Sequence, residues 1–120
     1  MRILLVEDNP SLVKATSALL KCWQHSVETA MTGKDALYIV GHEAFDLVLM
    51  DENLPDMSGR VVATCIRERE NGTHVAIVGL TAALLESERN AYLDAGMDMA
   101  IEKPISREQL DMVVKTLKLH

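Results

Sequence analysis

The sequence predicts an α/β fold, one five-stranded parallel sheet with helices on both faces, and two observations carry that prediction. Short apolar runs recur along the chain, each followed by a segment with helical apolar spacing, so strand and helix alternate five times. The strand runs are apolar at successive rather than alternate positions, as strands buried on both faces require. Each crossover between parallel neighbours must lay its helix back on the sheet, which covers both faces.

The chain has 120 residues, the size of one ordinary domain, so 1–120 is read as a single unit. Apolar residues at 48% and charged ones at 25% match soluble folded chains and exclude disorder or a fibrous repeat. A formal charge of −6 repels a phosphate backbone, which argues against nucleic-acid binding by this domain. No apolar stretch approaches the roughly 20 residues that span a bilayer, and Met1-Arg2 lead straight into a strand. The expectation is a soluble, cytoplasmic domain with no membrane contact of its own, compatible with a membrane-attached parent chain. Cys22 and Cys65 lie in helical patterns without CxxC spacing and read as reduced core thiols.

Ile3-Leu4-Leu5-Val6 stops at Glu7-Asp8-Asn9-Pro10, so the first strand ends in an acidic loop. Pro10, whose missing N–H is no loss in a first turn, opens a helix with Leu12, Val13, Thr16, Leu19, Leu20 and Trp23 at three-and-four spacing. A short strand over 25–30 precedes Thr32-Gly33-Lys34-Asp35 and a brief helix with Ala36, Leu37 and Val40 inward and Gly41 as its C-cap.

The third strand, over 45–50, again ends in acid at Asp51-Glu52, before the turn-forming residues from Asn53 to Gly59. Val61, Val62, Cys65 and Ile66 mark the next helix. A fourth strand over 75–80 runs into Thr81-Ala82-Ala83 and a helix carrying Leu84, Leu85, Ala91, Tyr92 and Leu93, with Thr81 placed to cap its start and Gly96 its end. A weak fifth strand over 97–101 reaches Glu102-Lys103-Pro104. Ser106 and Gln109 then start the last helix as a capping box, with Leu110, Val113, Val114 and Leu117 inward.

Four strand ends carry chemically useful side chains: Glu7 and Asp8, Asp51, Thr81, and Lys103. A parallel sheet brings them to one edge, where ligands of such folds bind. Crowded carboxylates repel and are costly to bury unpaired, so the set asks for a cation, and Mg²⁺ takes hard oxygen ligands. Three carboxylates contribute about −3, and Lys103 with one divalent ion returns about +3, leaving room for one further anion. Asp51 is the candidate nucleophile toward a phosphoryl group, giving an aspartyl phosphate. The Thr81 hydroxyl and the Lys103 ammonium can each engage a phosphoryl oxygen and so sense its presence.

These residues resemble those of response-regulator receiver domains of two-component phosphorelays. The resemblance runs over essentially the whole chain, through LLVEDNP, LVLMDENLPDMSG, LTA and AGMDMAIEKPI in order. It implies a flavodoxin-like (βα)5 fold with strand order 2-1-3-4-5, and Mg²⁺ held by Glu7, Asp8, Asp51 and the backbone carbonyl of Asn53. It further implies phosphoryl transfer from a phosphohistidine to Asp51, Thr81 and Lys103 as switch residues, and a cis peptide before Pro104. AGMDMAIEKPI is more similar to receivers of hybrid sensor histidine kinases than to stand-alone regulators, which makes a histidine kinase or a histidine phosphotransfer domain the expected partner. In the family, positions two after the acceptor and two after the threonine, here Asn53 and Ala83, tune the phosphoryl lifetime. One departure stands out: receivers commonly carry Tyr or Phe three residues before the lysine, and here that residue is Ala100. Output is therefore expected to rest on Thr81 and movement of its loop, without Tyr92.

Three other readings compete. A metal-dependent phosphodiester enzyme of Toprim type also joins a strand-end glutamate to a later D-x-D, but here that motif reads Asp51-Glu52-Asn53 and leaves Thr81 and Lys103 unexplained. A degenerate receiver that only binds partners is favoured by Ala100 and opposed by the intact acids. A stand-alone single-domain regulator shares all the site chemistry. Blander roles also exist: a helix lead-in for Glu7 and Asp8, a turn former for Asp51, a surface position for Lys103. Having all of them in register at one sheet edge disfavours these. His25, His42, His74 and His120 lack ligand spacing, so no zinc site is expected. Leu84, Leu85, Tyr92, Ala100 and Ile101 either form an apolar surface or face the sheet.

Overall fold

The alternating apolar runs fold as the pattern predicts in a computed structural model that describes residues 1–119; His120 lies outside the described residues. The strands are β1 (Arg2–Val6), β2 (Ser26–Ala30), β3 (Leu47–Asp51), β4 (Ala76–Thr81) and β5 (Met99–Glu102). The helices are α1 (Pro10–Cys22), α2 (Gly33–His42), α3 (Gly59–Arg69), α4 (Glu86–Asp94) and α5 (Arg107–Thr116). The sheet order is β2-β1-β3-β4-β5, and each neighbouring pair is parallel.

Strand alternation divides the core into two layers. Leu4, Val6, Val48, Met50 and Ile77 point to one side, where Ala36 of α2, Val62 and Ile66 of α3 and Tyr92 of α4 cover them. Ile3, Leu5, Leu47, Leu49 and Val78 point to the other, against Leu20 of α1 and Leu110 and Val113 of α5. Burying each such side chain contributes about 1.5–3 kcal/mol, so the central strands anchor the edge that carries the site. The edge strand β2 departs from uniform burial, since it pairs only with β1 and buries only Ala30 fully.

Several local expectations change. Gly41 does not cap α2; the helix runs through it to His42, and the Glu43 N–H closes the last turn on the Ile39 carbonyl at 2.9 Å. Gly96, at φ +107°, does end α4, and a Cβ there would lie 2.7 Å from Arg67 Cγ. Thr81 does not cap α4, because the Lys103 N–H donates to the Thr81 carbonyl at 2.7 Å and extends the ladder through it. The helix starts five residues later, behind Leu85, without a side-chain cap. On α1 the inner face is set by Ser17 and Leu20, which turns Leu12 and Leu19 outward, 39% and 44% exposed. Cys22 is likewise exposed and Cys65 only partly covered, so neither is a core thiol, although both are free as expected. Tyr92, Ala100 and Ile101 face inward, whereas Leu85 is exposed.

Candidate functional site

The C-terminal ends of β1, β3, β4 and β5 assemble an acidic pocket, and the local sequence fixes each wall. Glu7 leaves β1 with its N–H still donating to the Ala30 carbonyl at 3.0 Å, which keeps its side chain at the sheet edge and 4% exposed. Asn9 then caps α1, its Oδ1 accepting from the Ser11 and Leu12 N–H groups, and this turns exposed Asp8 over the same edge. Asp51 is the last residue of β3 and is 3% exposed. One carboxylate oxygen each from Glu7, Asp8 and Asp51 lie within 4.8 Å of one another.

Lys103, the residue that follows β5, faces this cluster. Its Nζ stands 3.0 Å from Glu7 Oε1 and 2.9 Å from Asp51 Oδ1. Burial alone would pull the lysine below its ordinary value, but the hydrogen bonds to Asp51 and Glu7 outweigh it and hold the ammonium above that value. Glu7 moves the same way for a different reason: burial raises its carboxyl, the Lys103 hydrogen bond opposes, and the nearby charge of Asp51 adds to the rise. The Lys103-Pro104 peptide is cis, as the resemblance implied.

The loop after Asp51 is built to hold that residue still. The Gly59 N–H donates to the Glu52 carbonyl at 2.8 Å, and Asn53 bridges Ser58 in antiparallel fashion. A Cβ on Gly59 would fall 2.3 Å from the Asp51 carbonyl oxygen, so only glycine lets the chain close this tightly. Glu52 pairs with Arg60 at 2.7 Å on the outside of the turn. Asp56 reaches across to α2, accepting from the Gly33 N–H at 2.8 Å and the Lys34 N–H at 3.0 Å. Those backbone hydrogen bonds hold its carboxyl below the ordinary value. Asp56 looks in the sequence like part of a turn and no more, since a cap supplied from 23 residues away leaves no local signal.

Thr81 is 7% exposed at the end of β4. Its Oγ1 accepts from the Ala83 N–H at 3.3 Å and lies 3.1 Å from the Ala83 carbonyl and 3.2 Å from Glu88 Oε2. Glu88 was not singled out from the sequence; its signal is the four-residue spacing to Tyr92, which places both on one face of α4. Tyr92 packs in the core layer beneath α4, its ring over Gly79 of β4. Tyr92 is 4% exposed, and burial pushes its phenol above the ordinary value.

The three clustered carboxylates suit a hard divalent ion. A six-coordinate Mg²⁺ sits about 2.0–2.1 Å from each oxygen, so its ligands lie about 3–4 Å apart, close to the spacing available here. Ligand oxygens from Glu7, Asp8 and Asp51 would leave positions for water or a phosphoryl oxygen.

A parallel (βα)5 sheet with acids, threonine and lysine gathered at its C-terminal edge is a doubly wound α/β domain with its candidate site where such sheets bind ligands. Comparison with known proteins narrows it: the family model for the response regulator receiver domain matches residues 3–115, and the chain belongs to that family. It is 40% identical over 116 residues to the sensor histidine kinase GacS of Pseudomonas protegens, covering 94% of this chain and 13% of that protein. It is 34% identical over 120 residues to the sensor histidine kinase RcsC of Salmonella typhimurium, covering 100% of this chain and 12% of that one. Among solved structures, the receiver domain of the sensor histidine kinase PA1611 from Pseudomonas aeruginosa, with magnesium coordinated in its active-site cleft, superposes with a TM-score of 0.85 at 35% identity, covering 96% of this chain and 94% of that one. The chain thus spans about an eighth of the length of the curated relatives it matches. No helix among the described residues is long and apolar enough to cross a membrane.

Proposed function

We propose that this chain is a phosphoacceptor of a two-component phosphorelay, taking a phosphoryl group from a phosphohistidine onto Asp51 with Mg²⁺ and passing or reporting it as the receiver of a hybrid sensor histidine kinase. The observation that carries the reading is the placement of Lys103 Nζ within 3.0 Å of both Glu7 and Asp51, opposite three converging carboxylates. A lone turn-forming aspartate needs no such surroundings.

In the transfer, the P–N bond to the donor imidazole breaks as a P–O bond forms to an Asp51 carboxylate oxygen. The imidazole keeps the electron pair and takes up a proton. Glu7, Asp8, Asp51 and the Asn53 carbonyl would hold Mg²⁺, which when bound supplies positive charge against the phosphoryl oxygens. Lys103 contributes a second positive charge there, raised in proton affinity by its two carboxylate partners and so fully protonated near neutral pH. The Thr81 hydroxyl donates to another phosphoryl oxygen. The donor would be a histidine kinase or a histidine phosphotransfer domain, in line with the kinases to which this chain is similar.

The test is the intact mass of the protein after incubation with acetyl phosphate, in Mg²⁺ and in chelator. One phosphoryl adduct that requires Mg²⁺ is expected. No adduct from acetyl phosphate or from a phosphohistidine donor would leave a degenerate interaction module as the reading.

A further inference from the structure

We propose that Asp56 is a positioning residue for the metal: by fastening the tip of the loop after Asp51 to the start of α2, it holds the Asn53 carbonyl where that carbonyl reaches Mg²⁺. The inference rests on the proposed Mg²⁺ site and adds a residue that touches neither the ion nor the phosphoryl group.

The loop over 52–58 is a short hairpin. Asn53 and Ser58 face each other across it, and the Gly59 N–H closes its base on the Glu52 carbonyl at 2.8 Å. Glu52 fixes that base to the first turn of α3, accepting from the Arg60 N–H at 3.0 Å and from Arg60 Nε at 2.7 Å. Asp56 stands at the tip, where Oδ1 accepts from the Gly33 N–H at 2.8 Å and Oδ2 from the Lys34 N–H at 3.0 Å. The Asn53 carbonyl lies between these two anchors along the chain, and no hydrogen bond among the described residues takes it up.

Two features fit the tip to α2. The N–H groups of a helix's first turn have no partner within the helix. On α2 the Thr32 hydroxyl takes the Asp35 N–H, which leaves those of Gly33 and Lys34 for a group from outside, and a carboxylate at the positive end of the helix dipole serves both. The other feature is the bare Cα of Gly33. A Cβ there would fall 2.5 Å from Met57 Cγ and 2.9 Å from Val62 Cγ2, so Met57, the neighbour of Asp56, seats directly on Gly33. A carboxylate and an apolar side chain on consecutive residues thus hold the loop to α2.

An untethered loop would lose conformational freedom when its carbonyl settles on an ion, and that loss would weaken binding. A loop fixed at base and tip has already lost it on folding. Supporting residues of this kind raise metal affinity without touching the metal. Removing the Asp56 carboxylate frees the tip alone, because Glu52 and Gly59 still hold the base.

Mg²⁺ titrations of the 120-residue chain test this, followed by the backbone amide signals of Asp51 and Asn53 at a temperature where every variant is folded. Asp56→Ala should bind Mg²⁺ about five- to tenfold more weakly than wild type, and Asp56→Asn, which keeps an acceptor for the Gly33 N–H, should recover part of the loss. Thr32→Ala is the control for a merely structural role. It removes the other cap of α2, so it should lower the melting temperature as Asp56→Ala does while leaving Mg²⁺ affinity at the wild-type value. Equal affinity in Asp56→Ala and wild type, or equal weakening by Thr32→Ala, overturns the inference and leaves the phosphoacceptor reading standing. Weakening confined to the Asp56 variants, in a chain that takes no phosphoryl group from acetyl phosphate or from a phosphohistidine donor, upholds the inference and overturns that reading. A wild-type chain that binds no Mg²⁺ overturns both.

Discussion

Lys103 brings one positive charge to three carboxylates, so without a cation the pocket of Glu7, Asp8 and Asp51 stays net negative even though Lys103 touches two of them. Neutralising one acid should relieve that repulsion. Asp51→Asn is expected to melt about 3–5 °C higher than wild type in chelator, a gain of about 1 kcal/mol; equal or lower melting would mean that the acids are not crowded in solution. Removing the lysine acts in reverse. Lys103→Met leaves Glu7 and Asp51 facing each other at 4% and 3% exposure, and should cost about 2–4 kcal/mol in a chelator-containing denaturation series. Glu7, Asp8, Asp51, Thr81 and Lys103 were all legible in the sequence because each lies where a strand run stops. Asp56 and the contact of Glu88 with Thr81 were not, because each depends on a neighbour that only the folded chain supplies.

At the scale of elements, two turns set the geometry. The β3–α3 turn closes on Gly59 against the Asp51 carbonyl, and backbone meets backbone there, so Gly59→Ala has no side chain to displace. It should destabilise the domain by about 2–3 kcal/mol or more and displace Asp51, read as lost stability in urea together with slowed phosphorylation. The same loop supplies Asp56 to the start of α2. Because the folded carboxyl titrates below its ordinary value of 3.8, its contribution is present above that value and is lost as pH falls through the folded one. Asp56→Ala should therefore lower the melting temperature at neutral pH, and the gap to wild type should close in strong acid. The boundaries that sequence reasoning misplaced have the same kind of cause. Gly41 lies in a helix whose end is fixed by the Glu43 N–H, and Thr81 lies in a strand prolonged by the Lys103 N–H; both are hydrogen bonds that no local pattern announces.

Across the whole molecule, the alternation of apolar runs and helical spacing was enough to specify the parallel sheet, its two covered faces and the edge on which the site lies. Order 2-1-3-4-5 came from the family resemblance, since apolar runs do not say which strand is central. The phase of α1 was only partly legible, with Ser17 inward and Leu19 outward, because a stripe of apolar residues wider than the buried face leaves the rotation of the helix to tertiary packing. A ligand that binds only the folded pocket stabilises the entire domain. Mg²⁺ at about ten times its dissociation constant should add about 1.4 kcal/mol to wild type, seen as a rise in melting temperature, and should add little to Asp51→Asn.

The central claim is that Asp51 itself carries the phosphoryl group, and chemical trapping addresses it directly. Borohydride reduces an aspartyl phosphate to homoserine, so protein treated with acetyl phosphate and Mg²⁺, reduced and digested, should yield the peptide containing residue 51 with homoserine in place of Asp51 and no other carboxylate altered. Homoserine at Asp8, Glu52 or elsewhere, with Asp51 intact, would contradict the assignment.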